Sequence, residues 1–121
     1  MGEIATSDRQ ITIYYSTNSV RAKQALAYAK AEGLAIQPID ILKTPLTGTQ
    51  IAELAKRLGI EVKELVNQEH HAFTDKFEPV ELSSQDWITL IKHNPEIMKQ
   101  PIALKGNRTI LVETPSDMTK I

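Results

Sequence analysis

The chain has 121 residues, with 14 Lys and Arg against 15 Asp and Glu, 41% hydrophobic residues and no cysteine. A chain of this length buries roughly two-thirds of its unfolded surface in one core, so it folds without disulfides or a structural metal and leaves no room for a second domain. The near-neutral charge offers no basic footprint for nucleic acid or an anionic membrane, and no apolar run approaches the ~20 residues that span a bilayer. The N-terminus lacks the basic stretch and apolar block of a signal peptide, so the expected compartment is the cytoplasm. Zero cysteine removes disulfides, thiolate catalysis, zinc–sulfur sites and iron–sulfur clusters from this chain in one step, because each needs a sulfur atom.

Residues 1–9 are polar and aperiodic and read as a flexible N-terminus. Residues 10–15 are β-branched and aromatic, which predicts a strand, and 16–19 form a polar turn leading straight into a helix. In that helix Ala22, Ala25, Leu26 and Ala29 share one face, Arg21, Lys23, Gln24 and Lys30 take the other, and Gly33 supplies the stop. An Ile-rich run over 36–42 predicts a second strand, punctuated by Thr44 and Pro45. Strand, helix and strand with a short return predict a parallel βαβ unit.

Thr47 and Gln50 match a capping box ahead of an apolar stripe of Ile51, Leu54, Ala55 and Leu58, and Gly59 ends this second helix. A short third helix is expected over 61–68, carrying Val62, Leu65 and Val66. The connection 69–82, with His70, His71, Phe73 and Phe77, is long for a compact domain and is a candidate functional segment. Ser83 or Ser84 caps a further helix with Trp87, Leu90 and Ile91 inward, and Pro95 opens another helical turn reaching Met98. Strands at 102–104 and 109–112 flank Gly106 and Asn107, which suit a two-residue hairpin turn, and 114–117 starts a short last helix. The expected fold class is α/β: a thioredoxin-like, mixed four-stranded sheet with helices on both faces. It forms one domain over 10–121 with a helical insert at about 47–98.

The same residues, in order, resemble the arsenate reductase and Spx-like branch of the thioredoxin fold. Ile11-Thr12-Ile13-Tyr14 resembles the family's opening strand, and the polar loop after it ends where the family places its catalytic cysteine, a place taken here by Ser19. Thr44-Pro45-Leu46-Thr47, Leu58-Gly59-Ile60 with Glu64-Leu65, His93-Asn94-Pro95 and Gln100-Pro101-Ile102 are similar to family segments, and Thr114-Pro115-Ser116-Asp117 resembles its closing Arg-Pro-Ser-Glu. The resemblance implies that Ala22 stands where the Spx-like branch has the second cysteine of a Cys-x-x-Cys pair. It also implies that Asn67, Gln100 and Thr114 stand at the three arginine positions that hold the oxyanion in arsenate reductases. Pro101 would be the proline that is typically cis in this fold and faces the active-site loop.

Each chemical feature has a plainer alternative. A serine is a poor nucleophile without an adjacent base, and Thr17, Asn18, Val20 and Arg21 offer none, so Ser19 reads as a helix cap. The amides and positive end of the first helix could still hold an anion, assisted by Arg21 and Lys23, though these two also fit a solvated helix face. His70 and His71, with Glu69 and Asp75 nearby, diverge if regular, so no metal site is expected. His93 reads as a helix C-terminal cation. Glu61 with Glu64 and Glu78 with Glu81 read as surface charge, and residues 105–108 are too short for a phosphate loop. Phe73, Phe77 and Trp87 read as core plugs, and Tyr15, beside the degenerate loop, is the aromatic to watch.

The expected protein is therefore a redox-inactive binding or regulatory module, a pseudoenzyme of its family, with no catalytic residue or cofactor assigned. Its candidate binding residues are Tyr15, Asn18, Ser19, Arg21, Lys23 and Pro101. The alternative is a residual reductase- or transferase-like enzyme that binds an oxyanion or a glutathione-type cosubstrate at the Ser19 loop and borrows its thiol. A protein partner docking on the helical insert is a third expectation, whereas nucleic acid and membrane are not expected partners.

Overall fold

A computed structural model of the chain describes residues 9–67 and 82–121; the expectations for the N-terminus and for His70, His71, Phe73 and Phe77 lie outside the described residues. Strand β1 (Ile11–Tyr15) carries side chains that are buried on both faces. Its period of two sends Ile11 and Ile13 into one apolar cluster and Tyr14 into the other, so the strand must lie inside the sheet rather than at its edge. It pairs in parallel with β2 (Ile36–Asp40), Ile11 opposite Ile36, and antiparallel with β3 (Ile102–Lys105), Ile13 opposite Ala103. β4 (Arg108–Leu111) completes the order β2-β1-β3-β4. At the hairpin, Gly106 has φ 59 and Asn107 does not reach positive φ, the signature of a turn with glycine at its first central position.

Helix α1 (Val20–Ala31) packs on one face through Ala22, Ala25 and Ala29, all fully buried. Methyl-sized side chains let its axis approach the sheet closely, and Val112 and Met118 close the same cluster. Helices α2 (Gly48–Leu58) and α3 (Ser84–His93) cover the opposite face, where Ile51, Leu54, Trp87 and Ile91 meet Ile102 and Leu104. Both carry complete capping boxes: Thr47 with Gln50, and Ser83 with Asp86. Gly59 closes α2 in the left-handed region, φ 72, where a Cβ is strained. No helix among the described residues is long and apolar enough to cross a membrane.

Three elements differ from the sequence expectation. β2 ends at Asp40 because its carboxylate accepts from the Leu42 amide at 2.9 Å while its carbonyl takes the Lys43 and Thr44 amides; Ile41 and Leu42 therefore leave the strand. The third helix shrinks to a 3-10 turn at Val62–Leu65. Val66 bridges Met98, and the amides of Asn67 and Lys99 donate to the carbonyls of Ile97 and Leu65 at 2.7 Å each, so the backbone groups that would extend a helix are spent across the chain. The last helix is likewise a 3-10 segment, Pro115–Thr119.

Candidate functional site

The cleft lies where the β1–α1 turn meets the segment before Pro101. Ser16, almost fully buried, organises the turn: its hydroxyl accepts from the Asn18 amide at 3.1 Å and its carbonyl accepts from the Ser19 amide at 3.0 Å. This sets Ser19 at the N-cap of α1 with extended backbone, φ −93 and ψ 117. Its Oγ accepts from the Ala22 amide at 3.1 Å and its carbonyl from the Lys23 amide at 3.1 Å. The next amides, on Val20 and Arg21, belong to the first helical turn and have no intrahelical acceptor, so they present partial positive charge at the helix end.

The opposite wall is made by the backbone crossing at Val66 and Met98. It brings Asn67, just after the Val62–Leu65 turn, beside Lys99 and Gln100, and the Gln100–Pro101 peptide that follows is cis. The resulting open cleft has a volume of about 300 Å³ and is lined by Ser16, Asn18, Ser19, Val20, Arg21, Asn67, Glu96, Met98, Lys99 and Gln100. This volume is at the small end of the range for pockets that hold small molecules.

Of the residues singled out in the sequence, Asn18, Ser19, Arg21, Asn67 and Gln100 line this cleft. Tyr15 packs with the Ile11, Ala25 and Met118 cluster on the α1 face. Lys23 is exposed on α1, one turn from the opening. Pro101 is buried, and its carbonyl accepts from the Val112 amide at 2.9 Å. Thr114 is exposed and starts the last 3-10 segment, its amide donating to Asp117 Oδ2 at 3.1 Å. His93, also exposed, hydrogen bonds through Nδ1 to the Thr89 carbonyl at 2.9 Å, within the last turn of α3.

Sequence reasoning passed over Ser16, Val20, Glu96, Met98 and Lys99. Nothing in the pattern around them carries a chemical signature, and the last three reach the cleft only through a crossing that pairs residues about thirty apart in the chain.

Electrostatically the cleft holds two cations, Arg21 and Lys99, and one carboxylate, Glu96, none of them in an ion pair among the described residues. Gln100 donates from Nε2 to the Met98 carbonyl at 3.4 Å, whereas its buried Oε1 has no hydrogen-bond donor among the described residues. Chemically, the site can attract negative charge to the helix end and to its two cations. Nucleophilic attack is poorly served, because Ser19 Oγ accepts from the Ala22 amide and no hydrogen bond joins it to a base among the described residues. No group of three His, Cys, Asp or Glu residues suited to a metal ion occurs among the described residues.

Two titrating groups among the described residues are displaced elsewhere. Burial pushes the Tyr14 phenol up, with Glu53 adding to the shift and Arg57 opposing it. The Thr114 and Glu113 amides, followed by Lys120, hold the Asp117 carboxyl down at about 2.

A β-α-β unit, a helical insert, a β-hairpin and a cleft at the first helix N-terminus together define a thioredoxin-like protein with the fold of the arsenate reductases. No model of a known protein family matches the chain. Among solved structures it is similar to an arsenate reductase from Vibrio cholerae, with a TM-score of 0.82 and 19% identity over 95% of this chain and 99% of that one. A putative arsenate reductase from Yersinia pestis gives a TM-score of 0.81 and 20% identity over 92% and 99% of the two chains. Among curated proteins, the uncharacterized protein YfgD of Escherichia coli K12 is 23% identical over 115 residues, which is 93% of this chain and 97% of that protein.

Proposed function

We propose that this chain is a thiol-free member of the arsenate reductase and Spx-like family, a redox-inactive cytoplasmic module that binds a small anionic ligand in the Ser19 cleft. The observation that carries the reading is the cleft itself: it survives over the first helix N-terminus, while the residue at the tip of that helix is a capping serine. Reduction of arsenate through this fold passes through a thiolate and a mixed disulfide, and a chain without cysteine forms neither. The helix end, Arg21 and Lys99 supply attraction for an anion, but Asn67 and Gln100 contribute amides in place of the bidentate forks that grip an oxyanion.

The test pairs calorimetric titration with arsenate, phosphate and glutathione against thiol-coupled arsenate reduction by the purified protein. The expected result is saturable binding of at least one anion with no reduction above the buffer rate. Reduction above that rate overturns the redox-inactive reading in favour of a borrowed thiol, and failure of every anion to bind overturns the binding module.

A further inference from the structure

The cleft is not a simple anion hole. Glu96 sits among its lining residues with no ion pair, in a site whose other charges, Arg21 and Lys99, are also unmatched among the described residues. For an inorganic oxyanion, a carboxylate on the wall is a cost, because like charges repel. Gln100 lines the same cleft, and its buried Oε1 has no hydrogen-bond donor among the described residues. One carboxylate and two cations, none in an ion pair among the described residues, line one cleft and describe a site for a molecule of both signs.

We infer that the ligand of this cleft is an amino acid or short peptide, its carboxylate held at the α1 N-terminus by Arg21 and Lys99 and its ammonium group by Glu96. The inference rests on the binding reading above and narrows it from anions in general to zwitterions. The volume of about 300 Å³ accommodates a dipeptide. Val20, 68% exposed at the first position of α1, adds apolar surface to the lining, which suits the aliphatic carbons between the two charged ends. The pattern is the reverse of a site built for a mineral anion, which would have no use for a carboxylate.

The experiment titrates the full chain with glycyl-glutamate, N-acetyl-glycyl-glutamate and inorganic phosphate, and repeats each titration with Glu96→Gln and Arg21→Gln. The free dipeptide is expected to bind at least tenfold more tightly than its acetylated form, because acetylation removes the ammonium that Glu96 receives. Glu96→Gln should abolish that preference and tighten phosphate binding, and Arg21→Gln should weaken all three probes. Arg21 is exposed and Glu96 half-buried, and circular dichroism of each variant checks that it is folded. Phosphate binding as tight as the dipeptide, or a preference for the free amine that survives Glu96→Gln, overturns the zwitterion inference and leaves the anion-binding reading standing. Silence with all three probes, alongside silence in the anion panel, overturns both.

Discussion

Ser19 performs two separable tasks, closing the first turn of α1 and leaving the floor of the cleft uncharged, and substitutions can divide them. Ser19→Ala removes the acceptor for the Ala22 amide, a hydrogen bond of 3.1 Å at a half-buried position. Loss of an N-cap side chain costs about 1 kcal/mol, and no packing change adds to it, because a methyl group replaces a hydroxymethyl. For a chain of 121 residues this lowers the melting temperature by about 3–5 °C. Urea unfolding followed by circular dichroism should show the midpoint falling with the slope unchanged. Ser19→Asp restores a strong cap and adds favourable charge to the helix end, so its stability should match or exceed that of the parent. The same carboxylate lies among the cleft residues and should weaken phosphate or dipeptide carboxylate binding by tenfold or more. A Ser19→Ala variant as stable as the parent, or a Ser19→Asp variant that binds anions undiminished, would refute the placement of Ser19 at the shared point of cap and cleft.

Ser19→Cys should restore little arsenate reduction, because Asn67 and Gln100 still lack the charge to grip the oxyanion; coupled reduction assays check this, and robust turnover from that one change would contradict the account of the site. Gly59→Ala should destabilise the protein by about 1 kcal/mol in urea unfolding, since φ 72 at the close of α2 is strained for any residue with a Cβ. Asp117 has a folded pKa depressed from 3.8 to about 2, so its stabilising contribution is complete above about pH 4 and disappears as the pH falls through 2. Asp117→Asn should therefore lower stability at neutral pH and flatten the acid limb between pH 4 and 2 in pH-dependent melting.

The elements that the sequence made legible are those fixed by neighbours in the chain. The Thr47 and Gln50 box is formed as expected, with Gln50 Oε1 on the Thr47 amide at 2.9 Å and Thr47 Oγ1 on the Gln50 amide at 3.1 Å. The alanine face of α1 is the face that packs on the sheet. Legibility stops where distant backbone competes. Residues around Val66 have helical spacing, but their amides and carbonyls find partners near Met98, a choice that propensity within one segment cannot anticipate. The site follows the same division. Ser19 and Arg21 could be placed from the local strand, turn and helix pattern, whereas Glu96 and Lys99 become neighbours of that helix end only through the crossing.

That crossing also bears on how such a protein can change its trade. The positions of Asn67 and Gln100 follow from main-chain bonds, Asn67 amide to Ile97 carbonyl and Lys99 amide to Leu65 carbonyl, which are indifferent to the side chains they carry. The frame of the cleft is therefore set by the main chain and its chemistry by the side chains, so exchange of the Asn67 or Gln100 side chain leaves the bonds that hold the frame in place.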